Sequence, residues 1–324
     1  MTKTAAWKLI SKSLDQQFPV MLLYVLESSG SSPGRQGFFM TVNANGDMEG
    51  SIGGGIMEHK FVELAKEKLL AVSRELLAVT LRKQIHDKSA ATNQSGMICS
   101  GEQTILLYPV QSRDLPHIKN LIASLEKNEN GTVTLSPTGI RFDNSIPEKD
   151  FEFTMNSNED WLYKEKTGYK NQLSIIGGGH CALALSKLMI QMDFYIRLYD
   201  DRKELKTMTE NNAAHEKHVV DDYSKLGELI SEGNNHYVVI MTFGYRTDDI
   251  SLKALLGKQF KYIGLLGSKK KIEKMFAEYR EEGKNEAWLQ RIHTPVGLAI
   301  KSQTPEEIAI SIAAEIIKVK NRDL

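Results

Sequence analysis

The sequence predicts an α/β protein in two parts: an α+β N-terminal domain over 1–170 and a doubly wound parallel-sheet domain over 171–324. Three observations carry this. After residue 171, short apolar runs alternate regularly with helical patterns, as in βα units of a parallel sheet. Before it, strands, hairpins and helices follow in less regular order. Third, "IIGGGHCALAL" (175–185) puts a glycine turn between an apolar strand and a helix, which makes the second domain Rossmann-like. At 324 residues the chain is long enough for two cores.

The first residues form an amphipathic helix. "PVMLLYVL" (19–26) is a near-continuous apolar run and reads as a buried strand. "FFMTVNANGDMEGSI" reads as a hairpin turning at Asn45-Gly46. A helix over 56–70 follows, with Ile56, Phe61, Leu64, Ala65 and Leu69 on one face. Runs 75–82 and 103–110 are strands, and the small, polar stretch between them is a loop carrying Cys99. Residues 113–127 read as a helix and 131–142 as a hairpin, while 143–171 has turn residues and little periodicity.

In the second domain, strand 172–176 leads to a helix over 181–192, and "FYIRLY" ends at Asp200-Asp201. A short strand at 218–220, a helix near 223–231, strand "YVVIMT", a helix from Asp248 and strand "YIGLL" follow. A basic helix then starts after Ser268. In the last helix Thr304 is the N-cap, Pro305 is N1 and Glu307 closes a capping box, with Ile308, Ile312 and Ile316 facing inward.

Lys plus Arg and Asp plus Glu are equal at 41 each, so the chain lacks the basic excess of a nucleic-acid binder. The two cysteines, Cys99 and Cys181, make no disulfide framework and suit a reducing cytoplasm. No signal peptide and no membrane span is read from the sequence.

The chemistry-bearing residues fall in two sets. Gly177, Gly179 and Ala182 fit G-x-G-x-x-G/A, and Asp200 ends the next strand, where an acid meets a ribose 2′-OH of NAD. Arg202 would instead suit the 2′-phosphate of NADP, and His180 could donate to an anion. His215, His218 and Asp221 have metal-like spacing without a third strong ligand. In the first domain, "GSIGGGIMEHK" (50–60) places Gly53, Gly54 and Gly55 at a helix start, where N–H groups can face an anion. Ser31 and Arg35 lie in the neighbouring turn "SSGSSPGRQGFFM", and Arg35 could share a phosphate or pterin there. Glu58 complements the helix dipole and is expected to point away from that pocket or to bind a pterin's amino groups. Cys99 could bind a soft metal centre or take part in sulfur transfer.

As an ordered set, "GSSPGRQGFFM", "GSIGGGIMEHK", "GMICSGE", "IIGGGHCALAL", "LYDDR", "YIGLLGSKKK", "PVGLAI" and "TPEEIAISIAAEII" resemble the XdhC/CoxI family of xanthine dehydrogenase accessory proteins. The resemblance is weakest over about 111–170. It implies an N-terminal XdhC/CoxI domain, a Rossmann domain and a homodimer. It also implies binding of the molybdenum cofactor (molybdopterin), sulfuration with a cysteine desulfurase, and delivery to an apo-xanthine dehydrogenase or related molybdenum hydroxylase. On this reading the chain is a cofactor chaperone more than an enzyme. Cys99, Ser31, Arg35 and the three glycines are then its candidate cofactor contacts, with Glu58 a candidate for the pterin's amino groups.

Three departures stand out. Gly34 occupies the place after Pro33 where many members have Arg. The usual Cys-Gly-Gly reads Cys99-Ser100-Gly101. The Thr-His-x-His stretch reads Thr242-Phe243-Gly244-Tyr245, with the following acid retained as Asp248. The competing readings are an NAD(P)-dependent oxidoreductase, including a true component of xanthine dehydrogenase, and a non-catalytic nucleotide-binding regulator. Two cysteines cannot hold a Cys₄ iron–sulfur cluster.

Overall fold

The structure is a computed structural model that describes residues 3–70, 78–86, 94 and 100–322. The chain divides into two compact units, Met1–Gly168 and Tyr169–Leu324.

The first unit contains α1 (Lys3–Asp15), β1 (Val20–Gly30), β2 (Phe39–Asn43), β3 (Met48–Gly50), α2 (Gly55–Leu70), β4 (Thr80–Ile85), β5 (Gly101–Pro109), α3 (Leu115–Glu126), β6 (Gly131–Ser136), β7 (Gly139–Asp143), β8 (Phe151–Ser157) and β9 (Asp160–Thr167). Among the described residues, one antiparallel sheet runs β3-β2-β1-β5-β4 and a second runs β7-β6-β9-β8. Strand β1 is apolar on both faces because both faces are covered. Met21, Leu23 and Val25 pack in a core with Met57, Phe61, Ala65 and Leu69 of α2. Leu22, Tyr24 and Leu26 share a core with Trp7 and Ile10 of α1 and with Val133, Leu135, Trp161 and Tyr163 of the second sheet.

Helix α2 turns slightly from its expected face. Ile56 is 63% exposed, and Met57 and Val62 are buried instead. The expected strand 75–82 begins outside the described residues, and β4 starts at Thr80. The stretch that shows little periodicity in sequence forms the hairpin β8–β9. Strand β8 is exposed from Thr154 on, while Phe151 and Phe153 at its start pack against the core of the first unit. In β9, the third inward position is a carboxylate: Trp161 and Tyr163 are followed by Glu165, 2% exposed, which accepts from the hydroxyls of Tyr24 (2.5 Å) and Tyr163 (2.9 Å).

The second unit contains β10 (Asn171–Ile176), α4 (His180–Met189), β11 (Phe194–Asp200), α5 (Lys206–Thr209), β12 (Glu216–Val219), α6 (Leu226–Leu229), β13 (Gly233–Ile240), α7 (Tyr245–Ala254), β14 (Phe260–Leu265), α8 (Lys269–Glu281), α9 (Glu286–Leu289), β15 (Ile292–His293) and α10 (Pro305–Lys320). Its sheet is parallel throughout, in the order β12-β11-β10-β13-β14-β15. That is the doubly wound Rossmann order, which reverses between β10 and β13. Helices α4 and α10 cover one face. Helices α6, α7 and α8 cover the other. The expected helix at 223–231 is a 3₁₀ turn, Tyr223–Lys225, running into the short α6, and α7 begins at Tyr245 rather than Asp248. The capping box of α10 is formed as the sequence predicts, with Glu307 N–H donating to Thr304 Oγ1 at 3.2 Å. Among the described residues no helix is long and apolar enough to cross a membrane.

Candidate functional site

In the first unit three separated segments meet at one end of the β1–β5 pair. Gly30 and Gly101 are register partners where the two strands end. A Cβ at Gly101 would lie 2.5 Å from the Ser31 carbonyl, and one at Gly34 would lie 2.0 Å from the Ile52 carbonyl oxygen. The turn 30–35 is thus pressed between Ile52–Gly53 and Ser100–Gly101. Gln103 holds the junction: its Nε2 donates to the carbonyls of Gly34 (2.8 Å) and Ile52 (3.4 Å). Its Oε1 accepts from His86 Nε2 at 2.9 Å. His86 and Gln103 are buried. Neither stands out in the sequence analysis; the available signal is a polar residue at the head of the otherwise apolar run "QTILLYPV".

The glycine run does not present all its donors outward. Glu58 folds back onto it, and its Oε2 accepts from Ser51 Oγ (2.6 Å), Ile52 N (2.8 Å) and Gly54 N (3.0 Å). The expectation that Glu58 points away is therefore overturned. A carboxylate one turn into a helix is the nearest anion for those N–H groups, and the positive φ at Gly53, Gly54 and Gly55 curls the chain around it. Burial pushes the Glu58 carboxyl up, but these hydrogen bonds outweigh it and hold the group below the usual carboxylate range. A Cβ on Gly54 would meet nothing within 4 Å, so the outer side of the run is open. Ser31, Arg35 and Gly55 are exposed. Arg35 Nη1 donates to the Gly30 carbonyl at 2.8 Å. Cys99 lies outside the described residues.

In the second unit Gly177 follows β10 with φ of 103°, and a Cβ there would lie 2.3 Å from the Met241 carbonyl oxygen. Gly179 is the N-cap of α4, with open space where a Cβ would be, and His180 is exposed at the first turn. Asp200 does not offer itself to a ribose. It is fully buried, its Oδ2 accepts from Gly178 N (2.7 Å) and Arg202 Nη2 (2.7 Å), and its Oδ1 accepts from Arg202 N (2.9 Å) and Nε (2.8 Å). Burial raises its pKa, but the Arg202 fork and the two N–H groups lower it further, so the carboxyl stays ionised. The sequence expectation of a free acid for the 2′-OH is corrected here: Arg202, two residues on, satisfies it first.

His215, His218 and Asp221 form no metal-ligating cluster among the described residues. The two histidines are tied to different partners at the edge of the sheet. His215 Nδ1 accepts from Ile196 N at 2.9 Å, and its Nε2 pairs with Tyr169 Oη at 2.7 Å. His218 pairs with Glu216 at 2.8 Å. A Tyr-x-x-x-Lys spacing occurs at Tyr199 and Lys203, but Tyr199 is 1% exposed while Lys203 is on the surface, so the two do not form a catalytic pair. Sequence reasoning missed a cavity of about 350 Å³ lined by Asp201, Arg202, Tyr223, Phe243, Gly244, Arg246 and Thr247.

Comparison with known proteins agrees with this architecture. The model of the XdhC and CoxI family matches residues 13–79, and that of the XdhC Rossmann domain matches 173–316. An uncharacterized Escherichia coli protein, YqeB, is 24% identical over 96% of this chain, which spans 45% of that relative's length. A Bacillus subtilis protein, by name a probable xanthine dehydrogenase component, is 22% identical, with 95% of this chain and 96% of the relative covered. A crystal structure of a xanthine dehydrogenase from Bacillus halodurans shares the fold, with TM-score 0.71 at 23% identity over 98% of this chain and 96% of that one. With both family models matched in order over more than half its length, the chain belongs to the XdhC/CoxI family.

Proposed function

We propose that this protein is an accessory factor for a xanthine dehydrogenase-type molybdenum hydroxylase. On this reading its N-terminal unit holds the molybdenum cofactor, whose terminal sulfur comes from a cysteine desulfurase, and passes it to the apo-enzyme. The protein works as a homodimer in the cytoplasm. The observation that carries the reading is the convergence of segments 30–35, 51–58 and 100–103 on one strand end through Gln103. The names of the Bacillus relatives point the same way.

The donor set suits a phosphate-bearing pterin. Exposed Arg35 uses Nη1 on Gly30 and keeps the rest of its fork for an anion. The surface at Gly54 admits close approach of a ligand. Because Glu58 already holds Ile52 N and Gly54 N, the anion falls to Arg35, Ser31 and the exposed first turn of α2. Cys99 is assigned the contact to the molybdenum centre. The bound cofactor supplies the redox chemistry of the partner enzyme, and this chain's residues bind, orient and shield it.

The test compares the parent with Arg35→Ala and Gly54→Val after expression in a molybdenum-replete host. Bound molybdenum and reconstitution of an apo-xanthine dehydrogenase are scored. Arg35→Ala should lose at least about tenfold in each, in line with a lost charged contact of roughly 1.5–3 kcal/mol, and Gly54→Val should fall as far because its side chain fills the open surface. If both reconstitute as well as the parent, the cofactor is held elsewhere.

A further inference from the structure

The cavity in the second unit has features that packing alone does not explain. It sits where β11 and β13 end, on either side of β10, and ligands of doubly wound sheets bind at such carboxyl ends. Phe243 is 93% exposed beside it. Burying an apolar ring is favourable, so one held out on a cavity wall gains that stabilisation only when something covers it. Arg246 is exposed on the same wall and has no ion-pair or hydrogen-bond partner among the described residues. Across from it, Arg202 spends Nε and Nη2 on Asp200 and keeps Nη1. The guanidinium is thereby fixed in place with donors to spare.

We infer that this cavity binds an adenine nucleotide bearing a phosphate on its ribose, so that the second unit takes NADP(H) in preference to NAD(H). Phe243 stacks on the base, and Arg202 and Arg246 hold the 2′-phosphate. Asp200 cannot serve a free 2′,3′-diol, because both its oxygens are engaged and none of it is exposed. Asp201, which also lines the cavity and accepts from Tyr223 Oη at 3.3 Å, is left to the ribose 3′-OH. The far end of a dinucleotide reaches the turn Gly177–Gly179, where Gly179 leaves open space at the start of α4. This inference is independent of the molybdenum reading, since none of its residues belongs to the first unit.

The full-length chain is titrated by calorimetry with NADP⁺, NAD⁺, 2′,5′-ADP and 5′-AMP. NADP⁺ and 2′,5′-ADP should bind at least tenfold more tightly than NAD⁺ and 5′-AMP. Phe243→Ala should weaken all bound probes by about tenfold, as loss of base stacking does. Arg246→Ala should weaken NADP⁺ and 2′,5′-ADP by a similar factor and leave NAD⁺ unchanged. Both side chains are exposed, and thermal melts verify that the variants fold. Absence of binding by every probe at millimolar concentration overturns the inference. So does equal affinity for NAD⁺ and NADP⁺, or parent-like binding by both variants.

Discussion

Gly34 shows how much a single residue can decide without conformational strain. Its φ lies outside the left-handed region, so its backbone does not require glycine. Its surroundings do: a Cβ would lie 2.0 Å from the Ile52 carbonyl oxygen and 2.5 Å from Gln103 Nε2. The first of these is backbone and cannot swing aside. Gly34→Ala should therefore cost about 1–3 kcal/mol, the range for overpacking a tight site. Gly46→Ala is the control, because Gly46 has a φ of 88° but open space around it, and the cost there is backbone strain alone. Urea unfolding should show a larger drop in midpoint for Gly34→Ala than for Gly46→Ala. Equal drops would mean that the three segments are not pressed together at this point. The position after Pro33 is thus filled by a residue that lets the chain close on Ile52.

At the scale of elements, Glu315 ties α10 to the far edge of the parallel sheet. Its Oε2 accepts from Tyr262 Oη of β14 (2.6 Å) and from Gly297 N (2.8 Å), and its Oε1 pairs with His293 Nδ1 of β15 (3.3 Å). Burial pushes the carboxyl up, but the bonds from His293, Tyr262 and Gly297 outweigh it and hold the pKa down to about 2. A carboxylate with a depressed folded pKa stabilises the fold fully above its unfolded pKa and loses that contribution as pH falls through the folded one. The Tm gap between the parent and Glu315→Gln should then be full at neutral pH and close between about pH 4.5 and about pH 2. A gap that does not change across that window would show that the carboxylate is not clamped. Much at this scale is legible in the sequence: Thr304, Pro305 and Glu307 mark the start of α10, and the apolar strands mark the parallel sheet. The hairpin β8–β9 is not legible, because β8 is exposed from Thr154 on and β9 places a glutamate at an inward position, where it accepts from the hydroxyls of Tyr24 and Tyr163.

At the scale of the whole molecule, each unit carries its own cores. Those around β1 and β5 contain only residues of the first unit, and those around β10 and β13 only residues of the second. A unit that buries its own apolar faces can fold alone. Residues 169–324 expressed by themselves should give a folded protein with one cooperative thermal transition and native α/β circular dichroism. An insoluble or molten product would show that the second unit depends on the first. The sequence by itself determined the fold class and the parallel, doubly wound sheet of the second unit, since apolar periodicity, glycine turns and capping residues act over a few neighbours, while the family followed from the ordered set of motifs along the chain. Only the tertiary structure decided which donors are free. Glu58 and Arg202 each lie within a few residues of the groups they satisfy, yet whether a side chain turns onto its own backbone or away from it depends on the space that distant segments leave. The same holds for the exposure of Phe243 and for the burial of Gln103 between Gly34 and Ile52. Those placements are set by packing across tens of residues, which no local pattern encodes.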